Sequence, residues 1–388
     1  DMMEFTRTVQ EPIFDISRAG LSKFTESYIL HNLEKFNEIP EKRPGHRDIG
    51  ERRNRGKVKG AFVFQPTPGL YEDIAMFDFT SMHTSIIITH NLSSATLLDK
   101  KEKNAYTSPP IQKGDKKVRY YFAKKIGFFP ALLQEIFTKR KRFKSEWKKN
   151  PNPITRARSN AFKVLSASAH GYIGFFGARY YSREASSAIL AFVRKFNKET
   201  ISKTEKAGYK IIYGDTDSVA FLMGNKSKTE IKKFLQKLNS ELPGVMELEL
   251  DGFYDRGLWV TTRDGKTGAK KKYALIDEED KIKIRGFETV RRDWCALARK
   301  VQNKILRKIL DEGDEKESLE YVKKIIKQIK NREIKEEEII IKTQLKKPIS
   351  EYIAQGPHVI AAKKMKEREI PVTQGNLIEY YIAETKDK

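Results

Sequence analysis

Two short apolar runs, Tyr209-Lys-Ile-Ile-Tyr213 and Ser218-Val-Ala-Phe-Leu222, are separated only by Gly214-Asp-Thr-Asp217. β-Branched and aromatic residues on both sides of a tight polar turn predict an antiparallel hairpin, so part of this chain is committed to sheet. The turn carries Asp215 and Asp217. A turn rich in acid is commonly just a solvated turn. Between two apolar strands, however, unpaired carboxylates repel one another and lose hydration unless a cation holds them. Hard oxygen ligands select Mg²⁺, which needs only one or two protein carboxylates and takes phosphate oxygens or water for the rest. Asp78, at the end of the apolar stretch Ile74-Ala-Met-Phe-Asp-Phe79, is the obvious third carboxylate.

The rest of the chain alternates between helical and extended patterns, with no fixed-period repeat. Residues 1–57 mix short apolar stretches with a Pro- and Arg-rich segment from Glu38 to Arg55, which reads as a lead-in or connecting region. Strands are expected at 61–64 and 74–79 around the turn Pro66-Thr-Pro-Gly69, and a helix at 81–90. Residues 128–149 have a helical period in Phe129, Leu132, Leu133, Ile136, Phe137, Phe143 and Trp147, with Arg140, Lys144 and Lys148 at successive steps of four. After Pro151 and Pro153, a second helix at 155–170 aligns Arg156, Asn160, Lys163, Ala167 and His170 on one stripe. Two antiparallel helices with facing basic stripes follow. Further helices are expected at 178–206 and 228–240, then strands at 245–251, 256–262, 271–276 and 282–285. Helices at 292–310 and 314–330 begin a separate helical module that ends the chain.

Composition narrows the function. The 388 residues carry 76 Lys and Arg against 52 Asp and Glu, a formal charge of +24, so a polyanionic partner is expected. The 39% hydrophobic content supports the cores of two to three domains. No apolar run approaches the ~20 residues that span a bilayer, and the first residues lack the order of a secretory signal. A soluble chain in a reducing, cytoplasmic setting, without membrane contact, is the expectation. The single cysteine, Cys295, can form neither an internal disulfide nor a thiolate metal cage.

Several ordered motifs together resemble the family B DNA polymerases, in an archaeal-like form. Gly69-Leu-Tyr-Glu-Asp-Ile-Ala-Met-Phe-Asp-Phe-Thr-Ser-Met-His-Thr-Ser-Ile-Ile87 with Asn91-Leu-Ser is similar to the family's motif A. Lys163-Val-Leu-Ser-Ala-Ser-Ala-His-Gly171 is similar to motif B, and Tyr213-Gly-Asp-Thr-Asp-Ser218 to motif C. Lys270-Lys-Lys-Tyr273 resembles the family's Lys-x-Tyr element, as does Arg285-Gly-Phe-Glu-Thr-Val-Arg-Arg-Asp-Trp294 a later one. Gly356-Pro-His-Val359 and Gly375-Asn-Leu-Ile-Glu-Tyr380 resemble the thumb. The likeness runs from about residue 4 to the end, and the motifs gain specificity from their shared order.

The resemblance implies an α+β right-hand core with an antiparallel palm sheet, helical-hairpin fingers and a partial helical thumb. It divides the chain into a connecting segment at 1–57, palm at 58–125 and 177–290, fingers at 126–176 and an incomplete thumb at 291–388. It implies Mg²⁺-dependent transfer of a deoxynucleotide to a primer 3′-hydroxyl on a DNA template, with two ions held by Asp78, Asp217 and the main-chain carbonyl of Phe79. Asp215 takes a supporting catalytic role. Ser81, Met82, His83 and Ala167 would line the nucleotide site, while Lys163, Arg140 and Lys144 would bind the triphosphate. His170, Lys271, Tyr273, Arg291 and Arg292 would contact primer-template DNA. Exposed helix and strand faces are the plainer reading of these cations, and for the arginine pair the plainer reading is strand-face charge and a satisfied helix start with Asp293 near the cap. Trp294 and Cys295 read as core.

The motifs also depart from the family pattern. Ser81-Met-His-Thr-Ser85 replaces Ser-Leu-Tyr-Pro-Ser, so His83 stands where a tyrosine blocks a ribose 2′-hydroxyl; in motif B, Ala167 replaces asparagine and His170 replaces tyrosine. His83 is expected to remain a partial steric gate. The family's exonuclease part has no counterpart here, so no proofreading is expected, and the chain reads as a cut or split polymerase whose partner chain supplies the rest. A nucleoid-associated location follows if the source is prokaryotic. The rival reading is a non-catalytic nucleic-acid-binding scaffold subunit derived from a polymerase. An RNA-tolerant or translesion enzyme is suggested only by His83 and His170.

Overall fold

The computed structural model describes residues 2–313 and 315–383. Of the expected thumb, residues 314 and 384–388 lie outside the described residues, as does the expected start of a helix at 314. The architecture mixes helices with antiparallel sheets and falls into two compact units: Asp1–Phe64 with Ala75–Gly252, and Gln65–Ile74 with Phe253–Lys388.

The first unit opens with helices α1 (Met2–Val9), α2 (Ile13–Arg18), α3 (Leu21–Leu30) and α4 (His46–Asn54). Strand β1 (Gly69–Phe79) enters it at Ala75 and leads into α5 (Met82–His90). Short strands β2 (Leu97–Leu98), β3 (Tyr106–Thr107), β4 (Ile111–Lys113), β5 (Lys116–Val118) and β6 (Tyr121–Phe122) form two small sheets. Three long helices follow, α6 (Phe128–Lys149), α7 (Pro153–Gly174) and α8 (Arg183–Lys206), then the hairpin β7 (Lys210–Asp215) and β8 (Ser218–Leu222), then α9 (Lys228–Ser240) and the start of β9 (Leu248–Thr261). Strand order here is β9-β1-β8-β7.

Helix α6 spans the range its period predicts. Phe129, Leu132, Leu133, Ile136 and Phe137 are buried, and Arg140 and Lys144 continue the row of Leu132 and Ile136 one and two turns on. The three-residue link to α7 forces the two helices to run back along each other. Asn152 caps α7 by accepting from the N–H groups of Ile154 and Thr155 at 3.0 Å each, and Phe143 stacks on Phe162 across the pair.

The segment read as a lead-in contains four helices, two of which pack on α7. Thr25 and Ser168 share a 2.7 Å hydrogen bond, and Tyr28 meets Phe162 edge-on. Residues 61–64, expected as a strand, give only an isolated bridge between Val63 and Asp215. The 178–206 helix begins at Arg183, because Ser182 caps it by accepting from the Ala185 N–H. Arg52 donates to the carbonyls of Phe176 and Ala178 and holds that stretch outside the helix.

The second unit carries the rest of β9, then β10 (Gly268–Ile276) and β11 (Ile282–Arg285), with the first half of β1 beside β9. The two strands expected at 245–251 and 256–262 are one. Gly257 does not break β9; a Cβ there would meet Ile74 and Leu275 at 2.5 and 2.6 Å, so glycine serves close packing rather than a turn. Helix α10 (Ala296–Glu312) lays Leu306 and Leu310 against Ala274, Ile276 and Phe287. Glu288 accepts from Lys272 and Gln302. Burial alone would raise its carboxyl, but these bonds draw it down to about 2.

Helices α11 (Glu315–Lys330) and α12 (Glu336–Ile339) precede strand β12 (Ile341–Gln344), helix α13 (Pro357–Glu367) and strand β13 (Leu377–Tyr380). β12 pairs antiparallel with β13 over a small core of Leu345, Ala362 and Ile378. The terminal module is therefore mixed, not purely helical. Its strands alternate exposed and half-buried or buried positions too briefly for period alone to reveal them.

Candidate active site

Strand β1 buries Ile74, Ala75, Met76, Phe77 and Phe79, leaving Asp78 half-buried at its end. The strand is fixed there by two long-range main-chain bonds. The Phe79 N–H donates to the Asp217 carbonyl at 2.8 Å, and the Thr80 N–H to the Glu247 carbonyl at 2.8 Å. Ser81 then turns the chain in the left-handed region at φ 48° and α5 begins. The acidic turn is strapped from outside: Phe64 donates to Gly214, and Thr216 to Phe62.

These constraints bring Asp78 and Asp217 to one cavity of about 500 Å³, a size suited to a nucleotide. Its wall is built by the β1–α5 turn with Phe79, Ser81, Met82 and His83, by α6 with Arg140, Lys144 and Trp147, and by α7 with Arg156, Asn160, Lys163 and Ala167. Thus ten of the residues assigned to the metal and nucleotide site from sequence, all of these but Trp147, Arg156 and Asn160, meet in one place. Asp215 does not line it. Its carboxylate accepts from the Thr216 hydroxyl at 3.0 Å and from Tyr213 at 3.4 Å, so it is engaged with the turn itself.

The electrostatics are mixed. Arg140 is held below its ordinary pKa by burial, while the charges of Glu249 and Asp78 act in the opposite direction. Lys144 Nζ lies 2.9 and 2.6 Å from the two carboxylate oxygens of Glu249. Burial would raise the Glu249 carboxyl, yet the Lys144 hydrogen bond and the charges of Lys144 and Lys148 leave it lowered. Glu249 escaped the sequence reading. Its signal was the alternation Glu247, Glu249, Asp251 along an otherwise apolar strand, which points acids to one face.

His83 stacks on His170, ring centroids 4.6 Å apart and planes 27° from parallel. Burial lowers the pKa of both, that of His170 to about 3 with the neighbouring His83 adding to the effect. His170 Nε2 also lies 3.4 Å from the Ser186 hydroxyl. It sits beneath His83 and does not line the cavity.

In the second unit, Lys271 and Arg292 are exposed. Tyr273 is buried and stacks on Trp259 at 5.5 Å, which turns its ring into the sheet core. Arg291 forms a two-point pair with Asp293 at 2.9 and 2.6 Å, so Asp293, expected near the helix cap, pairs with the arginine while Cys295 takes the cap. Trp294, read as core, is 37% exposed, because the chain turns out just before α10. Cys295 is half-buried and caps that helix.

Among the described residues no group of three or more His, Cys, Asp or Glu converges as a metal cage. The donor set that is present still suits Mg²⁺: Asp78 and Asp217 bring two carboxylates to one cavity that Phe79 also lines, with open space for phosphate oxygens.

A family model described as DNA polymerase family B matches residues 16–388. The DNA polymerase of Thermococcus gorgonarius is 36% identical over 389 residues, covering 98% of this chain and 48% of that protein. The DNA polymerase of Pyrococcus glycovorans is 37% identical over 390 residues, with the same coverage of 98% and 48%. The solved structure of the family B DNA polymerase from the hyperthermophilic archaeon Pyrobaculum calidifontis superposes with a TM-score of 0.70 at 28% identity, covering 100% of this chain and 48% of that one. The chain spans about half the length of the relatives it matches.

Proposed function

The chain belongs to DNA polymerase family B, and from that premise we propose that it is the nucleotidyl-transfer core of a DNA-templated DNA polymerase. The supporting observation is that Asp78 and Asp217, joined through the Phe79–Asp217 main-chain bond, share a cavity with Arg140, Lys144 and Lys163. In this reading residues 58–125 and 177–290 act as palm, 126–176 as fingers and 291–388 as thumb.

The reaction forms a bond from the primer 3′-oxygen to the α-phosphorus of a deoxynucleoside triphosphate and breaks the α–β anhydride, releasing pyrophosphate. Asp78, Asp217 and the Phe79 carbonyl would hold two Mg²⁺ ions, which when bound lower the pKa of the attacking hydroxyl and neutralise charge on the leaving group. The chain's own residues do the positioning. Lys163 and Arg140, on facing helices, supply cations to the triphosphate, where charge-assisted hydrogen bonds gain strength as water is excluded. His83, stiffened by its stack on His170, lies on the wall where the sugar would pass. Asp215 supports the turn that carries Asp217.

Primer-template DNA is the second substrate, and the +24 charge suits its phosphates. The remaining length of the relatives has its counterpart either in a longer chain or in a partner polymerase chain. A cytoplasmic, nucleoid-associated location belongs to the same reading. The test is primer extension with Mg²⁺ and deoxynucleoside triphosphates, comparing the protein with Asp217→Ala. Extension abolished by the substitution supports the proposal. No extension by the unaltered chain, with DNA binding intact, would favour a nucleic-acid-binding scaffold.

A further inference from the structure

Lys144, on the cavity wall, does not point its ammonium into open space. It is spent on Glu249, at 2.6 and 2.9 Å. One turn earlier on α6, Lys141 pairs with Glu247 at 2.6 Å. A step of three on the helix and two on the strand makes these a two-rung ladder from α6 to the start of β9. The rungs differ in one respect: Lys144 and Glu249 both line the cavity, whereas Lys141 and Glu247 do not.

We propose that Glu249 is a positioning residue that occupies Lys144 in place of the incoming triphosphate, so that nucleotide binding is an exchange of carboxylate for phosphate at the Lys144 ammonium. This rests on the cavity being the nucleotide site. The charges argue for it. The cavity is lined by four cations, Arg140, Lys144, Arg156 and Lys163, and three carboxylates, Asp78, Asp217 and Glu249. Asp78 and Asp217 have their role in the metal-holding set. Glu249 has its carboxylate on the cation that the phosphates require, and at this range a second anion on one ammonium is repelled by the first.

An ammonium has three donors, and phosphate oxygens accept them as well as carboxylate oxygens do. The exchange therefore keeps Lys144 satisfied in both states, and the affinity for triphosphate reflects the difference between two similar bonds. Release of the inner rung leaves the outer rung, Lys141–Glu247, in place. Nucleotide binding thereby removes one tie on the helix that carries Arg140 and Lys144. The ordinary alternative is that the ladder only clamps α6 in place.

The experiment is calorimetric titration of the protein with inorganic tripolyphosphate in the presence of EDTA, which reads the anion site without metal or turnover. Glu249→Gln is expected to bind about five- to tenfold more tightly and Lys144→Gln about tenfold more weakly, as expected for gaining or losing one close charge. The double variant should lie within about twofold of Lys144→Gln, because the close contact of Glu249 is with that lysine and what remains is its charge felt by Arg140. Glu247→Gln, on the rung outside the cavity, should change affinity less than twofold. Thermal melting of each variant controls for folding, and Glu249→Asp, which keeps the charge but shortens the reach, should fall between. Unchanged or weaker binding by folded Glu249→Gln, with Lys144→Gln still impaired, overturns the exchange and leaves the nucleotide site standing. No binding by the unaltered protein or by any variant overturns both.

Discussion

The main-chain N–H of Phe79 donates to the main-chain carbonyl of Asp217 at 2.8 Å. The two acids therefore sit on neighbouring backbones whose spacing is set by a strand hydrogen bond, not by side-chain flexibility. Asp78→Asn keeps that backbone and removes one charge. It should cost about 4 kcal/mol of transition-state stabilisation, roughly a thousandfold in rate. Single-turnover extension reads the loss, and fluorescence anisotropy should show DNA binding retained. The Asp78→Asn, Asp217→Asn double variant should be little slower than either alone, since the pair acts as a unit.

His83 presents an imidazole to the cavity and is backed by His170. His83→Ala should raise ribonucleotide incorporation relative to deoxyribonucleotide by about 10- to 100-fold, the range that one steric contact yields. Competition assays with matched triphosphates measure it. His170→Ala, which removes only the backing, should give a smaller change in the same direction. Equal discrimination in both variants and the unaltered protein would show that neither ring touches the sugar.

Acid should destabilise the fold through buried histidines. His170 is depressed from 6.5 to about 3 by burial and by His83, and His90 to about 4 by burial and by Lys195 and Lys124. Below 6.5 the unfolded chain takes up protons that the folded chain refuses. The stabilisation is thus fully present above about 6.5 and is lost as pH falls towards the folded values. Thermal melting between pH 7 and 4 should show a shallower decline for His170→Phe than for the unaltered protein.

Gly286 adopts φ +68°, and a Cβ there would stand 2.0 Å from the Lys271 carbonyl oxygen. Strain and a backbone clash act together, so Gly286→Ala should destabilise the second unit by about 3 kcal/mol or more. Denaturant unfolding measures the cost. The motif Arg285-Gly-Phe-Glu thus owes its glycine to packing against β10, and a melting profile unchanged by the substitution would contradict this.

Local signals in the sequence were read where a single element determined the outcome. Helix α6 spans 128–149 as its period indicated, because a wide apolar face and the prolines after it leave one solution. The hairpin at Gly214–Asp217 was legible from turn chemistry, and the mixed fold with an antiparallel sheet from the resemblance of the ordered motifs. What failed depended on distant partners. Residues 61–64 are extended but find only the single bridge at Asp215, and the break expected at 252–255 is bridged because β9 runs through it from Leu248 to Thr261. Tyr273 shows the same limit, since alternation assigns it a face but not what covers that face. The cavity residues on α6 and α7 were traceable as stripes of cations. Glu249 was not, because its importance lies in meeting Lys144 from another part of the chain.

The bonds that fix the acids join partners separated by most of the first unit's length: Phe79 to Asp217 and Thr80 to Glu247. Loop-closure entropy must be met before such contacts are rewarded, so the catalytic geometry belongs to the late, slow part of folding. During synthesis, a chain that has emerged through α6 and α7 holds the cationic wall and Asp78 but lacks Asp217 and Glu249. Its cations are then expected to attract polyanions until the hairpin that carries Asp217 and the start of β9 that carries Glu249 have followed.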